Sequence, residues 1–122
     1  MEKLIAMLVP MLEGLGITLE VFIITLALSL PLGLMLALAR ISNCKPLSFI
    51  VETYIWLMRG TPLMLQLLFV YYALPSVGIK MSDMTAALLA FSLNYAAYFA
   101  EIFRSGIQSI ERGQYEAAKC LG

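Results

Sequence analysis

The sequence predicts an all-α membrane protein with three transmembrane helices. Three observations lead there. The chain is 61% hydrophobic and only 13% charged. At 122 residues it is too small to hide that much apolar surface from water, because small domains bury a smaller share of their surface. The apolar residues also fall into long runs separated by short hydrophilic connectors, "RISNCKP" at 40–46 and "SVGIKMSD" at 76–83.

Residues 1–15 form the first segment. Leu4, Ile5, Leu8 and Leu12 repeat at helical spacing, which predicts either a short amphipathic helix lying at the interface or a frayed terminus. Ala37-Leu38-Ala39 imitates a signal-cleavage site. The preceding apolar run is too long and the start too weakly basic for a cleaved leader.

The first span covers about 16–39. Roughly 24 residues at 1.5 Å each give about 36 Å, enough for a hydrocarbon core of about 30 Å. Thr18, Thr25, Ser29 and Gly33, with Phe22 between them, make a stripe of small polar residues of the kind that packs helices together. Pro31 removes one backbone bond and should bend the span. Glu20 sits toward the opposite end.

The second span lies within 51–75 and is interrupted by Arg59-Gly60-Thr61-Pro62. Two arrangements satisfy it. In one, residues 47–58 form a separate helix and a new one starts at Pro62, with Thr61 as its cap. In the other, one helix runs through and is kinked. Both leave polar backbone groups that lipid cannot satisfy, so protein or water must face them. Gln66 lies one turn further on.

The third span runs over 83–104. Asn94, Tyr98, Glu101 and Ser105 fall within a stripe of roughly 60°. Ala86, Ala90 and Ala97 beside it permit close helix approach. An ionised side chain at mid-bilayer costs at least about 2.5 kcal/mol and seeks water or a partner. The stripe is therefore one wall of an aqueous path, or an interhelical hydrogen-bond stripe, or a Glu101–Arg104 pair at the interface.

Basic residues set the orientation. Arg40 and Lys45 mark connector 40–46, and Arg104, Arg112 and Lys119 mark the end of the chain. Both regions are expected in the cytoplasm and the N-terminus outside. After Gly106, Gly113 is expected to close one short helix before "QYEAAKCLG" starts another.

Composition excludes other classes. Net charge is zero, which offers nothing to nucleic acid. No histidine is present, no metal-ligand spacing occurs, and no G-x-x-x-x-G-K-[ST] loop is present to hold a nucleotide. No enzymatic activity, metal or cofactor is expected. Cys44 and Cys120 fit no ligand spacing and are expected to be reduced packing thiols.

Three motifs in order resemble one family. They are Arg59-Gly60-Thr61-Pro62-Leu63 with Gln66, then Asn94, Ala97-Tyr98, Glu101-Ile102, Arg104 and Gly106-Ile107, then Gly113-Gln114, Glu116-Ala117-Ala118 and Leu121-Gly122. The family is the permease subunits of ATP-binding-cassette importers for polar amino acids. The resemblance implies an importer-type helical bundle in the cell (inner) membrane, paired with a second permease subunit, identical or related. It implies cytoplasmic ATPase subunits that bind the ATP, and an extracytoplasmic substrate-binding protein. It implies that residues 106–122 begin a cytoplasmic coupling segment in which Gln114, Glu116, Ala117, Ala118 and Gly122 dock on the ATPase. The family pattern continues past this glycine, so a C-terminally truncated chain is expected. Thr61, Gln66, Asn94, Tyr98 and Glu101 are the expected substrate-path residues: together they offer donors for a carboxylate and acceptors for an ammonium group. The alternatives are a small proton-coupled multidrug exporter using Glu20, and an assembly subunit with no path.

Overall fold

The computed structural model describes residues 1–122 as five helices. They are α1 (Glu2–Arg40), α2 (Lys45–Gly60), α3 (Leu63–Ser76), α4 (Asp83–Gln108) and α5 (Arg112–Leu121). α1 and α4 are each long and apolar enough to cross a bilayer, and α2 with α3 makes a third candidate span only as a pair bent by 104°.

α1 continues without a break through Pro10, Gly14, Gly16 and Pro31. Residues 1–15 are thus the first part of a 39-residue rod and not a helix of their own. At 1.5 Å per residue the rod is roughly 58 Å long, well beyond a hydrocarbon core. Its buried residues are Thr25, Ser29, Gly33 and Ala37, one per turn on a single face. The expected packing stripe is therefore real but displaced: Thr18 is exposed and Ala37 completes it.

α2 opens inside the predicted connector, at Lys45, with Pro46 in its first turn. A proline there loses only an N–H that has no helical partner anyway. α2 ends at Gly60, and α3 starts after Pro62. The separate-helix arrangement is the one that forms. α3 closes with a Schellman motif: Gly78 N–H donates to Pro75 carbonyl at 3.1 Å and Ile79 N–H to Leu74 carbonyl at 3.0 Å. Gly78 has φ +92, which that motif reserves for a residue without Cβ.

α4 starts at the Ser82 cap, whose hydroxyl accepts from Thr85 N–H, and runs past Gly106 to Gln108. Gly113 closes nothing; it lies in the first turn of α5. Both cysteines are exposed free thiols, so neither packs in a core.

α1 and α4 form the most extensive helix pair. They run parallel: Gly33 stands against Ala96, Phe99 and Ala100, while Arg40 shares a cleft with Glu101 and Arg104. Parallel helices need a return path, and α2–α3 provides it. α3 runs back along α4, with Gln66 bonded to Asn94 and the far end joined to α4 through residues 77–82. Alanines make the contacts close: Ala86, Ala90, Ala96, Ala97 and Ala100 are all buried. Val51 and Ile55 of α2 complete a small core with Ala97 and Ala100. Only 13 of 122 residues are buried, so most of the apolar surface faces outward, as it does when lipid is the solvent.

Candidate functional site

The break between α2 and α3 leaves the last carbonyls of α2 without helical partners. Side chains supply them. Thr61 hydroxyl donates to Leu57 carbonyl at 2.9 Å. Gln66 amide nitrogen donates to Met58 carbonyl at 3.0 Å, to Thr61 carbonyl at 3.2 Å, and to Thr61 hydroxyl. Asn94, only 3% exposed, donates to the same Met58 carbonyl at 3.2 Å and to Gln66 Oε1 at 2.9 Å. The elbow is thereby tied to α4. This corrects one expectation: Thr61 does not cap α3, which has no side-chain cap, but finishes α2. Tyr54 hydroxyl adds a further tie to α4 by donating to Leu93 carbonyl.

One turn beyond Asn94 the polar seam becomes ionic. The Arg59 guanidinium stands 5.7 Å from the centre of the Tyr98 ring, a cation–π distance, and 3.5 Å from Glu101 Oε2. Arg104 holds Glu101 with both arms: Nε to Oε1 at 3.0 Å and Nη2 to Oε2 at 2.8 Å. Two-point arginine–carboxylate contacts are among the stronger and more directional pairs. Arg40 Nη2 reaches Glu52 Oε1 at 3.4 Å, and its Nη1 donates to Ser48 hydroxyl at 3.3 Å. Together Arg40, Glu52, Arg59, Glu101 and Arg104 surround a cleft of about 270 Å³ with Trp56 on its wall.

The five predicted path residues are thus brought together. Thr61, Gln66 and Asn94 share one hydrogen-bond network, and Tyr98 and Glu101 lie further along α4, joined to the broken span through Arg59 and not through that network. In this conformation Glu101 serves arginines, the arrangement anticipated as the alternative to an open path. The Arg40–Glu52 pair and the double use of Met58 carbonyl went unread in the sequence. The signal available for the pair was Glu52 inside an apolar run, one short connector away from the basic Arg40. A second, mostly apolar groove of about 310 Å³ lies between α1 and α4 beside Phe22, Tyr95 and Phe99. The Thr25 and Ser29 hydroxyls border it without hydrogen-bond partners.

α5 carries Gln114, Glu116, Ala117 and Ala118, with Gly122 at its end, and is exposed along its whole length. Its side-chain tie to α4 is Tyr115 hydroxyl, donating to Ile107 carbonyl at 3.4 Å. Glu20 is exposed on α1, remote from the ionic cleft.

The ionic cluster yields a measurable expectation. Glu101→Gln removes the shared partner of Arg59 and Arg104. Because these groups are partly exposed, the loss should be modest, about 1 kcal/mol. The parent's thermal midpoint in detergent should fall more steeply with rising salt than the variant's, which keeps only the Arg40–Glu52 pair of the cleft. Equal salt dependence would show that the pairs carry no stability.

The fold and its polar seam define a multi-pass helical membrane protein built around a broken span. Residues 29–122 match the family described as the binding-protein-dependent transport system inner membrane component. The chain belongs to that family. It is 46% identical over 112 residues to the arginine transport system permease protein ArtQ of Bacillus subtilis (strain 168), covering 91% of this chain and 51% of ArtQ. It is 38% identical over 115 residues to the L-cystine transport system permease protein TcyB of the same organism, covering 93% of this chain and 49% of TcyB. Among solved structures it matches the crystal structure of an amino acid ABC transporter with histidines, at TM-score 0.79 and 36% identity, over 93% of this chain and 56% of that one. The chain spans about half the length of the curated relatives it matches.

Proposed function

We propose that the chain is the front part of the permease subunit of an ATP-driven importer for polar amino acids. The observation that carries this reading is the convergence of Thr61, Gln66, Asn94, Tyr98 and Glu101 on one seam between the broken span and α4. Broken helices with polar seams are where transporters place their binding sites. The relatives named for arginine and for L-cystine supply the substrate class.

In this reading the five residues face the solute path in another conformation of the assembly, and Glu101 exchanges its arginines for the solute's ammonium group. α5 is the lever. It docks on a cytoplasmic ATPase through Gln114, Glu116, Ala117, Ala118 and Gly122, the small alanines allowing close approach. A second permease subunit completes the path, and an extracytoplasmic binding protein delivers the solute. The N-terminus is outside and α5 is cytoplasmic. The exposed face of α5 and the parallel course of α1 and α4 support this arrangement.

Two measurements test it. Co-expressed with its ATPase and the remaining transporter subunits, the parent should co-purify with the ATPase, Glu116→Arg should not, and Glu13→Arg should. Retention of the ATPase by Glu116→Arg defeats the docking role. The native thiols test sidedness, because Cys44 and Cys120 belong to the same side in this reading. A membrane-impermeant maleimide should label both in inside-out vesicles and neither in right-side-out spheroplasts. Labelling from the outside defeats the orientation.

A further inference from the structure

The cleft where α1, α2 and α4 meet holds three arginines against two glutamates, which leaves one positive charge unbalanced. Its members differ in how fully they are engaged. Arg104 spends Nε, Nη1 and Nη2 on Glu101 and Gln108. Arg40 is divided between Glu52 and Ser48. Arg59 has a single ionic contact, at 3.5 Å, and is 45% exposed. Its planar fork of N–H donors is therefore largely free, and that fork matches the oxygens of a phosphate.

Depth narrows the choice of anion. α1 ends at Arg40, and charged side chains this numerous cannot sit in hydrocarbon, so the cleft lies at headgroup level. Trp56, 73% exposed, forms one wall, and tryptophan favours that level. Next to the cleft, α2 shows Phe49, Ile50 and Leu57 to the outside. A headgroup phosphate in the cleft would lay its acyl chains on this apolar face, whereas a soluble anion has no use for it.

We infer that this cleft binds the phosphate of an anionic phospholipid, with Arg59 as the principal donor and Trp56 as the flanking wall. Arg40 and Arg104, held by Glu52 and Glu101, complete the positive field. The inference rests on the membrane location and the cleft, and it stands whether or not the chain carries amino acids.

Trp56 is the only tryptophan, so it reports on its own site. The full chain would be placed in phosphatidylcholine vesicles containing a small fraction of brominated phosphatidylglycerol or, in parallel, brominated phosphatidylcholine. Bromine quenches tryptophan on contact. One unbalanced arginine predicts about a fivefold preference for the anionic lipid in the quenching curves. Arg59→Gln should bring the preference close to one. Arg59→Lys, which keeps the charge but not the fork, should retain part of it. Lys3→Gln, at the opposite end of α1, should leave it intact. Equal quenching of the parent by both lipids overturns the inference without reference to any variant, as does an undiminished preference in a helical Arg59→Gln chain. Relief of the anionic-lipid quenching by millimolar inorganic phosphate, at constant ionic strength, would assign the cleft to soluble anions and overturn the lipid as well.

Discussion

Gly33→Leu is expected to separate α1 from α4 and to cost about 3 kcal/mol or more, since overpacking a tight contact typically costs about 1–3 kcal/mol and leucine adds several atoms. A Cβ at this position would stand 2.7 Å from Phe99 Cβ, 3.1 Å from Ala96 carbonyl oxygen and 3.3 Å from Ala100 nitrogen. Two of these are backbone atoms and the third is the first carbon of a side chain. None can rotate away, so the helices themselves must move. In lipid, where apolar side chains gain little by leaving their solvent, close backbone approach is a main source of helix association. Gly33→Ala should be milder, because the clash is partly offset by about 1 kcal/mol of helix propensity. Gly14→Leu is the matched control on the same helix, with open space around it, and should be neutral or slightly stabilising. Thermal unfolding followed through Trp56 fluorescence in detergent compares all three. Equal midpoints for Gly33→Leu and Gly14→Leu would refute the tight crossing.

The two features behind that expectation were open to the sequence in different degrees. Apolar length marked α1 and α4, and the small residues at 29, 33, 86, 90 and 97 marked faces suited to packing. Which face meets which is a property of the pair, and no single-helix pattern contains it. The broken span divides in the same way. Gly60, Thr61 and Pro62 announced an interruption, but the 104° angle between α2 and α3 depends on what holds the elbow. Thr61 shows why its role was missed. A hydroxyl between two helices can cap the second or finish the first, and local sequence scores both well. Gln66 and Asn94 decide the matter by crowding Met58 carbonyl and Thr61 from the α3–α4 side. The connector at 40–46 is shorter than its sequence suggests for a similar reason: Pro46 punctuates a loop as readily as it opens a helix.

The members of the polar seam were legible in the sequence as groups that need partners, whereas the partners were not. Polar residues in apolar runs are costly enough to need partners, so naming Thr61, Gln66, Asn94 and Glu101 required only that cost. Their partners required the return of the chain. Arg59 and Glu101 are 42 positions apart, and Arg40 and Glu52 are 12 apart across a helix boundary. Parallel α1 and α4, joined by a bent return, put all of these charges at one end. One topological fact therefore explains both the ionic cleft and the elbow network.

Asn94→Leu should then be the most damaging substitution that leaves helix packing volume nearly unchanged. It deletes the donor shared by Met58 carbonyl and Gln66 Oε1, and leaves Gln66 Oε1 without its hydrogen-bond donor in a partly buried place. Abandoning a buried acceptor costs about 1–3 kcal/mol, and hydrogen bonds between membrane helices contribute roughly 0.6–2 kcal/mol each, so a total near 2 kcal/mol is expected. Gln66→Leu should cost a similar amount, because the elbow loses its donor to Met58 and Thr61. The decisive quantity is the double variant. If the two amides act as one clamp, removing the second after the first should cost about 1 kcal/mol less than removing it alone. Ser105→Ala, on the same stripe of α4 but outside the network, should change stability by less than about 0.5 kcal/mol. Strict additivity of Asn94→Leu and Gln66→Leu would mean that the two amides hold the elbow independently and not as one clamp, each through its own bond to the Met58 carbonyl.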